Sequence, residues 1–116
     1  MIARLNRFHG HGSLSPLYRR GQSVSLSLVS LKHLPVRTDK PGRLAVVVSR
    51  KVDKSAVVRN RIRRRIYEDI RVKSPKLTQG VDLVITVHNQ QVAGMKATEL
   101  SEIIYELLIK ASLLEP

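Results

Sequence analysis

Val58, Ile62, Ile66 and Ile70 recur every four positions, and on a helix this spacing draws one apolar stripe down a single side. Ser55 stands just ahead of the run as its N-cap, and Lys73-Ser74-Pro75-Lys76 closes it. A second helix is predicted from Ala97 to Leu114, where Leu100, Ile103, Ile104, Leu107, Leu108, Ala111 and Leu114 keep the i, i+3, i+4, i+7 rhythm. Thr98 can cap its start, and Glu99 and Glu102 fall in the first turns, where the helix dipole favours acids. This helix reads as core and receives no ligand. A third, short helix covers Ser13 to Arg20, with Ser13 or Ser15 as N-cap, Pro16 in the first turn, Leu14, Leu17 and Tyr18 on one side, and Gly21 as the stop.

Between the helices the period changes to two. From Gln22 to Leu34 the chain alternates Val24, Leu26 and Leu28 against serines, then slips phase so that Val29 and Leu31 become the apolar set. One strand cannot keep both registers on the same face, which calls for a bulge or a short break near Leu28-Val29. After the slip, Ser30 and Lys32 share a polar face. Pro35 to Arg43 is a connecting loop whose Pro41-Gly42 pair suits a type II turn. Leu44 to Val48 is a buried strand. Gly80 precedes another, Val81 to His88, with Val81, Leu83, Ile85 and Val87 on one face and Thr86 and His88 on the other. Asn89 to Lys96 is a loop. The order α-β-β-β-α-β-α predicts an α+β fold, a small mixed sheet with helices packed on it.

The 116 residues suit a single domain, 1–116, whose first twelve form a flexible basic arm carrying Arg4 and Arg7. His9-Gly10-His11-Gly12 within that arm has no carboxylate or cysteine beside it, so it reads as a polar arm and not a metal pair. Lys and Arg number 21 against 9 Asp and Glu, a formal net charge of +12. Charge of that size points to nucleic acid first and to an anionic membrane second. No apolar run nears the roughly 18 residues of a membrane span and no secretory signal stands out, so a cytoplasmic protein is expected. With no cysteine, disulfides, thiol nucleophiles and cysteine metal sites are excluded together.

Autonomous catalysis is not expected either. The chain has no nucleophile elbow, phosphate-cradling glycine loop, zinc spacing or carboxylate cluster. Aromatics are only 3% of the residues, Phe8, Tyr18, Tyr67 and Tyr105, too few for a base-stacking platform. The strands flanking the Val58–Ile70 helix also rule out a helix-turn-helix for DNA.

That helix carries the densest charge. Arg59, Asn60, Arg63, Arg64 and Tyr67 fall on neighbouring faces beside its apolar stripe, with Arg61 and Arg65 further round, and Arg59 and Arg61 are read as pointing outward. Like charges at i,i+4, Arg59 with Arg63 and Arg61 with Arg65, each destabilise an isolated helix by a few tenths of a kcal/mol. Spaced phosphates compensate, because a guanidinium binds their oxygens bidentately and keeps its charge at any physiological pH. Asn60 both donates and accepts, which suits a base edge, a sugar hydroxyl or a hydrated metal ion. The plainer alternative is a solvated basic surface. A membrane-surface anchor fails, since the sheet needs the helix's apolar stripe.

The run Ser49-Arg50-Lys51-Val52, followed by Ala56-Val57-Val58-Arg59-Asn60-Arg61-Ile62-Arg63-Arg64-Arg65 and preceded by an apolar strand, resembles the signature of the bacterial ribonuclease P protein subunit. The likeness extends from Leu14 to Leu114. It implies a fold in which the basic helix joins two parallel neighbouring strands by a left-handed crossover, against the usual hand. It also implies a non-catalytic subunit of an endoribonuclease, binding ribonuclease P RNA and the 5′ leader of precursor tRNA to assist 5′ maturation. The RNA is then the catalyst, and Mg2+ is bound mainly by that RNA and the substrate. On the same resemblance, Arg59, Asn60, Arg61, Arg63 and Arg64 contact the catalytic RNA, with Lys51 at the mouth of the leader cleft. The cleft itself is formed by Leu14, Tyr18, Ser30, Lys32, Thr86 and His88. Family members often carry aromatics where Leu14 and Lys32 stand, so leader binding here is expected to lean on charge more than on stacking. The alternative is a ribosomal-type or RNA-chaperone protein of related fold with no role in cleavage.

Overall fold

The computed structural model describes residues 15–35, 43–73 and 81–113. Of the bulge and the short break that the phase slip at Leu28-Val29 allows, the structure has the break, and the chain reverses there. Strand β1 (Gln22–Ser25) and strand β2 (Val29–Pro35) form an antiparallel hairpin with Ser25 opposite Ser30 and Val24 opposite Leu31. The Leu26 amide donates to the Val29 carbonyl at 2.8 Å and closes the turn. The two apolar registers therefore belong to two strands, and each turns its own set to the same core.

Strands β3 (Leu44–Val48) and β4 (Val81–Val87) complete one sheet in the order β1-β2-β4-β3. The last strand in sequence thus lies inside the sheet, antiparallel to β2 and parallel to β3. Helix α2 (Ala56–Lys73) connects the parallel pair. Its Ser55 cap forms as read, Oγ accepting from the Val58 amide at 3.3 Å.

On one side of the sheet Val29, Leu31, Leu44, Val46, Val48, Leu83, Ile85 and Val87 are buried. Against them pack Ile62, Ile66 and Ile70 of α2 and Leu100, Ile104, Leu107 and Leu108 of helix α3 (Ala97–Lys110). The four-residue stripe thus does what its period predicted, three isoleucines at 0% exposure with Val58 half-buried at the helix start. Tyr67 of α2 reaches the edge strand, its hydroxyl accepting from the Val46 amide at 3.3 Å.

Helix α1 (Ser15–Arg20) lies across the opposite face. Leu17 and Val84 are buried outside the main core, as a helix over β2 and β4 requires. The stop at Gly21 is steric: a Cβ there would lie 2.4 Å from the Leu17 carbonyl oxygen, which the Gly21 amide bonds at 2.8 Å. Asp82, 4% exposed, has both carboxylate oxygens engaged by Arg43, Oδ1 by its amide at 2.9 Å and Oδ2 by its Nη2 at 3.0 Å.

Helix α3 departs from its predicted ends. Its N-cap is Lys96, without a side-chain bond, and Thr98 is exposed inside the first turn. It stops at Lys110 because Ser112 takes a left-handed φ of 60°. The Ser112 and Leu113 amides then return to the carbonyls of Ile109 and Leu108 at 2.9 Å each, the Schellman closure. The expected 89–96 loop contains a 3-10 helix, Gln90–Gly94, begun by the Asn89 side chain accepting from the Gln91 amide. Ser13, Leu14, the His9-Gly10-His11-Gly12 arm, Pro41-Gly42, the 74–80 connection and Leu114 lie outside the described residues.

Candidate nucleic-acid interface

The residues assigned to the site from the sequence fall on two neighbouring surfaces. The first is the open face of the sheet beside α1. Ser30 and Thr86 stand opposite each other in the β2–β4 register, and the Ser30 hydroxyl lies 2.7 Å from His88 Nε2. His88 itself is exposed, its amide bonded to the Leu28 carbonyl at 2.8 Å. Lys32, two residues along β2, donates to the Tyr18 carbonyl at 2.9 Å, with its ammonium 5.4 Å from the centroid of the Tyr18 ring. Tyr18, Ser30, Lys32, Thr86 and His88 therefore share the face of the sheet beside α1. Leu14, assigned to the same cleft, lies outside the described residues.

The second surface is α2 with the loop that leads into it. Asn60, Arg61 and Arg64 are exposed, and Arg61 and Arg64 make no hydrogen bond or ion pair among the described residues. An open groove of about 1240 Å³ runs beside them, lined also by Arg63, Glu68 and Leu100. Arg63 donates through Nη2 to the Asn60 side-chain oxygen, which leaves the Asn60 amide NH2 to face outward. Glu68, one of two acids lining the groove with Asp69, is paired with Arg71, whose guanidinium holds the Glu68 carboxyl well below the usual carboxylate range.

Arg59 is different from the outward residue that its place in the sequence predicted. It is half-buried, and its Nη1 donates to two carbonyls of the preceding loop, Asp53 and Lys54, at 2.9 Å each. Arg65 also turns inward, donating to the carbonyls of Ala93 at 3.3 Å, Val92 at 3.5 Å and Met95, at the end of the 3-10 helix. These two arginines tie α2 to its surroundings and leave Arg61 and Arg64 to face a partner. The loop that Arg59 holds carries Arg50, Lys51 and Lys54, all exposed. Val48 pairs with Val87, so Lys51 and His88 follow strands that end side by side.

Neither Asp53 nor Gln90 stood out in the sequence. Asp53 accepts from the Ser55 amide at 2.8 Å and from Gln90 Nε2 at 3.2 Å. The Asp-x-Ser spacing before the helix is a local signal for the first of these bonds; nothing local signals the second.

A small basic α+β protein that turns unpaired arginines and an adjoining polar cleft to the outside is an RNA-binding protein by build. Comparison with known proteins makes this specific. The family model described as Ribonuclease P matches residues 2–112. The chain belongs to that family, the protein component of ribonuclease P, and the enzyme's RNA is accordingly its partner. It is 33% identical to the ribonuclease P protein component of Rippkaea orientalis, over 97% of this chain and 91% of that protein. To the corresponding Xylella fastidiosa protein it is 42% identical, over 78% of this chain and 64% of that one. Among solved structures, the Staphylococcus aureus RNase P protein superimposes with a TM-score of 0.80 at 22% identity, covering 95% of this chain and 98% of that one. The Thermotoga maritima RNase P protein gives 0.74 at 19%, again over 95% and 98%. These two likenesses show the fold, the mixed α+β sheet with three helices.

Proposed function

We propose that this protein binds ribonuclease P RNA through Arg61, Arg64 and the Asn60 amide on α2, and holds the 5′ leader of precursor tRNA in the cleft of Tyr18, Ser30, Lys32, Thr86 and His88. The observation that carries the reading is the pairing of Val48 with Val87, which sets the cationic loop and the cleft at one end of the sheet. An RNA lying on α2 can then pass a single strand across Lys51 into the cleft. Charge and shape supply the affinity, and the RNA supplies the chemistry.

Among the described residues no group of three or more His, Asp or Glu is arranged to hold a metal ion. We assign the magnesium used in cleavage to the RNA and the substrate. No helix among the described residues is long and apolar enough to cross a membrane, and we place the protein in the cytoplasm with its RNA.

The test is cleavage of precursor tRNA by a bacterial ribonuclease P RNA at low magnesium, with and without this protein. Stimulation that grows with leader length and disappears in the Arg61→Ala/Arg64→Ala variant is the expected result. RNA binding with no effect on cleavage would overturn it in favour of a ribosomal-type binder.

A further inference from the structure

An acidic side chain stands in the middle of the cationic loop. Asp53 lies between Lys51 and Lys54, with Arg50 nearby, in a protein of net charge +12 that binds a polyanion. By charge alone it opposes binding, since a phosphate backbone repels it. Its geometry says why it is there.

The carboxylate bridges two segments. Oδ1 accepts from the Ser55 amide at 2.8 Å, at the threshold of α2, and Oδ2 accepts from Gln90 Nε2 at 3.2 Å, in the 3-10 helix that follows β4. The same residue's carbonyl receives Arg59 Nη1 at 2.9 Å, and its amide bonds the Ser49 carbonyl at 3.4 Å. Val52 beside it is buried, 7% exposed, with its amide on the Ser49 carbonyl at 3.1 Å. The 3-10 helix is in turn held from α2 by Arg65. Every polar group of Asp53 is therefore spent on fixing the path of the chain from Ser49 to Ser55, while Arg50, Lys51 and Lys54 on that path remain exposed.

We propose that Asp53 is a positioning residue for RNA binding: by clasping the loop to Ser55 and Gln90 it holds Arg50, Lys51 and Lys54 in a fixed arrangement toward the RNA. A loop ordered before the encounter does not have to be ordered by it, and affinity rises accordingly. Losing the clasp therefore weakens binding, although the lost charge is one that the RNA repels. The inference rests on the RNA-binding reading above.

Two substitutions separate charge from geometry. Asp53→Ala and Asp53→Asn remove the same charge, but Asn keeps an oxygen for the Ser55 amide, and Gln90, by turning its amide over, can accept from the new NH2. Binding of the full chain to ribonuclease P RNA is measured by fluorescence anisotropy over a series of salt concentrations, with an unrelated structured RNA of equal length alongside. Circular dichroism confirms that each variant is folded.

Asp53→Ala is expected to bind about 5- to 20-fold more weakly than the parent at every salt concentration. Asp53→Asn is expected to bind as tightly as the parent or tighter. Gln90→Ala, which changes no charge and lies on the far side of the clasp, is expected to lose part of the same affinity and to add little to Asp53→Ala. Asp53→Ala binding as well as Asp53→Asn would overturn the proposal. If Asp53→Ala does not fold, Gln90→Ala decides: binding equal to the parent overturns it. A parent that binds both RNAs equally, yet still loses affinity in Asp53→Ala, leaves the clasp standing and removes the ribonuclease P reading. A parent that binds neither RNA removes both.

Discussion

The ammonium of Lys32 rests over the ring of Tyr18 and donates to the carbonyl of that same residue at 2.9 Å, so one side chain of β2 both anchors α1 and covers one face of the cleft's tyrosine. On the proposed reading, a leader base stacks on the other face, which Lys32 leaves free. Lys32→Ala should weaken the leader-dependent part of the affinity and lower the magnitude of its salt slope by about one. Lys32→Phe should lower the slope by the same amount while regaining affinity through stacking. Titrations with precursor tRNAs of different leader length, at several salt concentrations, check both.

The arginines of α2 should divide into two kinds. Arg61→Ala and Arg64→Ala should each lower the magnitude of the salt slope by about one and leave stability within about 0.5 kcal/mol. Arg59→Ala removes two hydrogen bonds to loop carbonyls from a half-exposed guanidinium, and should cost about 1 kcal/mol. Ile62→Ala empties a fully buried site and should cost about 2–5 kcal/mol. Urea unfolding of the four variants ranks them. An Arg59→Ala protein as stable as Arg61→Ala would contradict the inward placement.

Stability should fall in mildly acid solution. His33 sits on the helix-covered side of β2, opposite Leu83, and its partial burial holds the imidazole below its ordinary value of 6.5. The unfolded chain then takes up the proton first, so the contribution of His33 is complete above about pH 6.5 and is lost as the pH falls toward the folded value. Urea midpoints at pH 7.5 and 5.5 should show the drop, and His33→Gln should make it smaller.

Ser112 carries a left-handed φ of 60° at the end of α3. Glycine adopts that conformation without a Cβ penalty, so Ser112→Gly should raise stability by about 0.5–1 kcal/mol and the melting temperature with it. An unchanged or lower melting temperature would mean that the Schellman closure carries no such strain.

What the sequence made legible was periodic or local. The isoleucines of α2 announce their buried side at four-residue spacing, Ser55 announces the cap, and the parity of Ser30, Lys32, Thr86 and His88 announces the open face of the sheet. The phase slip announces two strands on either side of Leu28-Val29, but not that the chain reverses between them, because a slip reads the same whether the next strand runs on or turns back. The inward turn of Arg59, and with it that of Arg65, is illegible for a different reason. A long side chain can swing to acceptors far off in sequence, such as the carbonyl of Met95 reached from Arg65, and no local pattern records that choice. The α3 terminus failed on Ser112, whose residue type does not announce a left-handed turn as glycine would.

Because β4 lies between β2 and β3, the hairpin on one side and β3 with α2 on the other have no shared strand until β4 is inserted. Pairings of such sequence separation are slow to form relative to local ones. During synthesis the arginine helix follows β3, the strand it packs on, but precedes β4, the 3-10 helix and α3. The early chain is a strongly basic polymer whose amphipathic segment has a single strand to rest on. The face of β2 and the loop before α2 are therefore set side by side only when Val81 to Val87 docks between the two halves.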